Sequence, residues 1–118
     1  MPQDENSKRF DLEDRTFAFA QRSRALIKKL PKTIGNIEDV RQLVRASGSV
    51  GANYIEANEA LSKKDFLCRI KICRKEAKES RYWLRLIEAG DEATERDALV
   101  QEAQELMNIF GAIVRKSE

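Results

Sequence analysis

Lys71, Arg74, Lys78, Arg81 and Arg85 follow one another at intervals of three, four, three and four residues. On an α-helix that spacing puts all five on one face. Such a row, about 21 Å long at roughly 1.5 Å per residue, can lie along several phosphates of a nucleic acid. It would touch backbone and not base edges, so it would bind without reading sequence, and binding would weaken steeply with salt. The same row can equally be a solvated face, partly neutralised by acidic helices. Other chemistry is restricted by composition. The 118 residues include no His, which removes Ser-His-Asp and Cys-His catalysis and every His-ligated metal site. Cys68 and Cys73 are the two cysteines. On a helix they point about 140° apart at ~100° per residue, so they cannot bridge within it. Two thiolates also fall short of a structural zinc set. Free thiols in a reducing compartment are the expectation.

A helix must position the basic row, and four helices can be placed. With 42% hydrophobic residues, 5 Gly and 2 Pro, the chain fits one domain built of long helices. The first, about 11–31, carries Leu12, Thr16, Phe19, Ser23, Leu26 and Leu30 at alternating steps of four and three, and stops at Pro31. The second, about 37–60, has Asn36 as its expected N-cap and the stripe Val40, Leu43, Ser47, Val50, Tyr54, Ala57, Leu61. Its middle is small-sided. Gly48 and Gly51 each cost about 1 kcal/mol relative to Ala, so either a neighbouring backbone approaches closely or the helix bends at Gly48. The third, about 63–89, opens at Ser62 and repeats Phe66, Ile70, Cys73, Ala77, Ser80, Leu84, Ile87. Its small centre is expected to face the small middle of the second helix, and Gly90 is expected to cap its end. The fourth, about 94–116, carries Leu99, Ala103, Leu106, Phe110 and Ile113. Short connections predict an all-α, antiparallel up-down-up-down four-helix bundle over 11–116, preceded by a flexible N-terminal tail at 1–10.

The net charge is +2, but residues 1–32 sum to +3, 33–61 to −2, 62–90 to +5 and 91–118 to −4. The third helix therefore holds most of the basic charge. One bundle of this charge binds weakly, whereas a ring of copies would present the row several times and gain by avidity. Phe17, Tyr82 and Trp83 fall outside the apolar seams and are candidates for an oligomer interface. The other reading of Trp83 is a side chain at the bundle rim. No stretch approaches the ~20 apolar residues of a membrane span. Met1–Phe10 lacks the apolar centre of a secretory signal, so a cytoplasmic protein is expected.

The run Val44-Arg45-Ala46-Ser47-Gly48-Ser49-Val50-Gly51-Ala52-Asn53-Tyr54-Ile55-Glu56-Ala57, then Ser62-Lys63-Lys64-Asp65-Phe66, then Lys75-Glu76-Ala77-Lys78-Glu79-Ser80-Arg81-Tyr82-Trp83-Leu84, resembles the bacterial family of the 23S rRNA intervening-sequence protein, also called S23-type. The resemblance extends from about Phe10 to Val114. It implies a four-helix bundle assembled as a homopentameric barrel, with no enzymatic activity and no cofactor or metal. It also implies kinship with the accessory variability determinant of diversity-generating retroelements, a basic pentamer that binds nucleic acid and partners a reverse transcriptase. The implied partners are further copies of this chain, RNA or another nucleic acid, or a protein such as a reverse transcriptase for which the chain is a scaffold or adaptor. No membrane is implied. Asn53 and Glu56 match the family's polar pair on the second helix. With Glu76 and Ser80 they could form a hydrogen-bonded network between helices. Paired carboxylates could instead hold a metal, but di-iron bundles use Glu-x-x-His motifs, which a chain without His cannot supply. The acidic fourth helix departs from the strongly basic retroelement relative.

Overall fold

The computed structural model describes residues 2–118, with side chains described from Leu12 onward. The described residues form four α-helices, α1 (Pro2–Lys28), α2 (Ile34–Asn58), α3 (Lys63–Leu86) and α4 (Ala93–Ser117), with a 3-10 turn at Gly90–Glu92. No strand occurs among them. Helix α1 is longer at its start than the 11–31 expected. The tail expected at 1–10 falls on residues whose side chains lie outside the described ones.

The seams read from the heptads are the core. Thr16, Phe19, Ser23 and Leu26 of α1 are buried, as are Leu43, Ser47, Val50, Tyr54 and Ala57 of α2. Helix α3 contributes Ile70, Cys73, Ala77, Ser80 and Leu84, and α4 contributes Leu99, Ala103, Leu106 and Phe110. Burying each Leu, Ile or Phe is worth about 1.5–3 kcal/mol, so the four stripes hold one another in place. Tyr54 and Phe110 meet across the core with ring centroids 5.9 Å apart. Leu61, expected in the α2 stripe, is 97% exposed, because α2 ends at Asn58 and Leu61 lies in the connection.

Three local expectations are corrected. The N-cap of α2 is Thr33, whose Oγ1 accepts the Asn36 N–H at 3.1 Å. Asn36 is buried instead: its Nδ2 donates to the Pro31 and Glu88 carbonyls, both at 2.9 Å, and its Oδ1 accepts the Glu88 N–H at 2.9 Å. An Asn amide has two N–H donors and a separate carbonyl acceptor, so it can make all three of these bonds, whereas a hydroxyl has a single O–H to donate. Ser62 does cap α3, accepting the Asp65 N–H at 3.1 Å. The end of α3 is Ile87 in extended conformation. Gly90, at φ +57°, lies beyond it and opens the 3-10 turn against Pro31. Helix α2 runs unbroken through Gly48 and Gly51. Those glycines face α1, not α3: a Cβ on Gly51 would sit 3.0 Å from Thr16 Oγ1, and one on Gly48 would sit 3.4 Å from Arg24 Nη2. Both lie one step off the buried seam of α2, on the flank turned to α1.

Candidate nucleic-acid interface

The periodicity that buries Ile70, Cys73, Ala77, Ser80 and Leu84 places the basic row on the adjoining flank of α3. Lys71, Arg74, Lys78 and Arg85 are exposed and Arg81 is half-buried. The row borders α4. Lys71 Nζ lies 3.7 Å from Glu118 Oε2, and Arg81 Nη1 donates to Gln104 Oε1. Arg74 Nη1 lies 4.0 Å from the position a Cβ on Gly111 would take. Lys78 and Arg85 form no ion pair with any described residue, and the buried Nε of Arg81 has no hydrogen-bond partner among them.

Apart from Glu118, the paired acids of α4 and α3 are turned away from this row. In α4, Glu102 accepts Arg15 Nε at 2.7 Å and Arg15 Nη2 at 2.8 Å, and Glu105 accepts the same Nη2 at 2.7 Å. Glu95 pairs with Arg22 at 3.2 Å. Helix α4 thus presents its acidic face to α1. The Arg15 guanidinium is held above its ordinary pKa, chiefly by its hydrogen bond with Glu102. The Glu105 carboxyl is held below the usual range by the Gln101 amide and then by Arg15. Two acids of α3 itself face α2: Arg45 contacts Glu76 at 3.3 Å and also binds Glu79. Among the described residues, Glu118 is the one carboxylate in an ion pair with the row.

The four residues expected to form one polar network do not close on each other. Asn53 Oδ1 accepts from Arg69 Nη1 at 3.0 Å, and its Nδ2 donates to the Ser49 carbonyl at 2.9 Å. Glu56 is exposed. Glu76 is 8% exposed and pairs with Arg45. Ser80 Oγ donates to the Glu76 carbonyl at 2.8 Å, within its own helix. Burial raises the Glu76 pKa against the opposing pull of Arg45, while the Arg45 hydrogen bond lowers that of Glu79. Arg45 and Arg69 are the partners the sequence reading lacked. Both are plain cations in the sequence, and pairing them requires the register between α2 and α3. Among the described residues no group of three or more Cys, Asp or Glu side chains is placed to hold a metal ion.

The structure brings two of the three aromatic candidates together. Tyr82, 56% exposed, stands edge-on to Trp83 with centroids 5.0 Å apart. Trp83 packs partly against the core and its Nε1 donates to Glu79 Oε1 at 3.3 Å. Phe17, 64% exposed, lies apart from them. It lines a groove of about 380 Å³ between α1 and α2 with Ala20, Gly51, Ala52 and Ile55. Cys68 is exposed and Cys73 buried, both free, and burial pushes the Cys73 thiol up to about 12. No helix among the described residues is long and apolar enough to cross a membrane.

Residues 8–112 match the family described as 23S rRNA-intervening sequence protein. The chain belongs to that family. A solved structure from the same group aligns with a TM-score of 0.72 and 26% sequence identity, covering 87% of this chain and 97% of that one. It is a protein with unknown function from the S23 ribosomal protein family of Bacteroides thetaiotaomicron. No curated protein matches the chain. In this member of the family the described residues are all-α, with four α-helices.

Proposed function

We propose that this 23S rRNA-intervening sequence protein is a non-enzymatic, oligomeric nucleic-acid-binding accessory protein that contacts RNA phosphates through the basic row of α3. The observation that carries this reading is the division of charge between faces. Glu95, Glu102 and Glu105 of α4 are engaged by Arg15 and Arg22 of α1, and Glu76 and Glu79 of α3 by Arg45 of α2. Lys78 and Arg85 are left without counter-ions among the described residues. A row that keeps its charge can neutralise phosphates and release their counterions. The reading includes an antiparallel up-down-up-down bundle. It is supported by the contact pairs Arg45–Glu76 with Asn53–Arg69, and Arg15–Glu102 with Arg22–Glu95, whose numbers rise on one helix as they fall on the next. A homopentameric barrel of copies in the cytoplasm would repeat the row and raise affinity by avidity. The exposed Phe17 and Ile55 supply apolar surface for such contacts. The test is a filter-binding titration against RNA at two salt concentrations. Binding that weakens steeply with salt is expected, and undetectable or salt-insensitive binding at micromolar protein sinks the reading.

A second reading rests on the same apolar groove at Phe17 and Ile55. In it the assembly is a scaffold or adaptor for a partner enzyme such as a reverse transcriptase. A reverse transcriptase gene with a template repeat beside this gene would favour it.

A further inference from the structure

Two guanidiniums meet over one glycine. A Cβ on the buried Gly111 of α4 would lie 3.3 Å from Arg115 Nη1, and 3.9 and 4.0 Å from Cδ and Nη1 of Arg74. Arg115 stands one turn beyond Gly111 on α4, and Arg74 reaches across from α3. Both are exposed, and neither forms an ion pair with a described residue. Lys71, one turn before Arg74, is tied to Glu118. Two like charges that reach the same point repel each other. The nearby Glu118 is engaged by Lys71 and not by either guanidinium, and the missing side chain of Gly111 is what lets the two forks close over the α4 backbone.

We propose that Arg74 and Arg115, meeting over Gly111, hold a phosphate group. A phosphate oxyanion offers three or four oxygens and up to two negative charges to two guanidinium forks at once, more of both than a single carboxylate offers. Arg115 was absent from the row read along α3, because it joins that row from the neighbouring helix. Lys78, one turn further along α3 and free of ion pairs, is placed for the next phosphate of the same strand. The proposal deepens the nucleic-acid reading and rests on it for the source of the phosphate, which a free phosphate would otherwise supply.

The test is an NMR titration of the full chain at low ionic strength with inorganic phosphate, with chloride of equal ionic strength as the control, and separately with a short oligouridylate. The readouts are the Nε–H signals of Arg74 and Arg115 and the Gly111 amide. Gly111→Ala keeps every charge, and its Cβ meets only the ends of flexible side chains, so the fold is retained while the seat is filled. Phosphate is expected to shift these signals saturably where chloride does not. Gly111→Ala and Arg115→Gln should each weaken phosphate about tenfold, and the remote Lys32→Gln should leave it unchanged. Absent phosphate shifts, shifts equal to those with chloride, or indifference to Gly111→Ala and Arg115→Gln would overturn the seat. Saturable phosphate binding without oligouridylate binding supports the seat and removes RNA as its source. Oligouridylate binding untouched by both variants removes the seat and leaves the wider reading standing.

Discussion

Arg15 of α1 and Glu102 of α4 are joined as a fork, with Nε and Nη2 of the guanidinium on the two carboxylate oxygens at 2.7 and 2.8 Å. This pair, with Arg22–Glu95 seven residues on along α1 and seven back along α4, commits the acidic face of α4 to α1. Where α4 meets α3, the carboxylate that reaches the basic row is that of Glu118, at the C-cap, beside Lys71. Arg15→Gln should destabilise the chain by about 1–2 kcal/mol, read as a lower Tm at fixed protein concentration. Glu105, whose pKa is lowered by Gln101 and by Arg15, adds a pH dependence. Its contribution is complete above the ordinary carboxylate range and is lost as pH falls through the lowered value. The Tm gap between wild type and Arg15→Gln should therefore narrow in acid. A gap that is constant with pH would show that the fork does not act through carboxylate charge.

Glu76 has the opposite sign. Burial raises its pKa, so the folded state holds its proton more tightly than the unfolded chain does. That contribution is complete below the unfolded value and is lost as pH rises through the folded one. Glu76→Gln is expected to be neutral or stabilising at pH 7, and its advantage should vanish near pH 4. Thermal melts at the two pH values check this. A strong loss at pH 7 would mean that the Arg45 pair outweighs the burial of the charge.

Gly51 and Thr16 set how closely α1 approaches α2. A Cβ at Gly51 would fall 3.0 Å from Thr16 Oγ1 and 3.3 Å from its Cβ. Gly51→Leu should cost about 1–3 kcal/mol or more, lowering Tm by at least about 4 °C. In a double-mutant cycle, Thr16→Ala should recover part of the loss caused by Gly51→Ala. Purely additive effects would place the contact elsewhere.

The heptads made the four helices and most of the core legible, since an apolar stripe at steps of three and four has one way to be buried. The basic row was legible for the same reason. What the stripes did not contain was rotation and register between helices. The small middle of α2 carried a correct signal of close packing, but nothing in it distinguished Thr16 of α1 from the small residues of α3. Asn36 reads as a cap in any one-dimensional scan, and its bonds to Glu88 join residues far apart in sequence. The charge balance of the fourth helix suggested partial neutralisation of the row; Glu95, Glu102 and Glu105 face α1, and the pair with the row is Lys71–Glu118.

Phe17 and Trp83 test the proposed interface between copies. Phe17→Asp, on a residue 64% exposed, should lower the mass seen by light scattering while leaving helicity intact. Trp83→Ala should lower Tm, because Trp83 packs partly against the core, and should leave the mass unchanged. An assembly indifferent to Phe17→Asp would exclude the α1–α2 groove as the contact between copies.

The most direct test of the open basic row is the salt dependence of RNA affinity in wild type and in Lys78→Gln/Arg85→Gln. Two fewer neutralised phosphates should make the log–log slope shallower by about 1.4 at roughly 0.7 per phosphate for single strands, with melting behaviour unchanged. An identical slope in the two proteins would contradict the account.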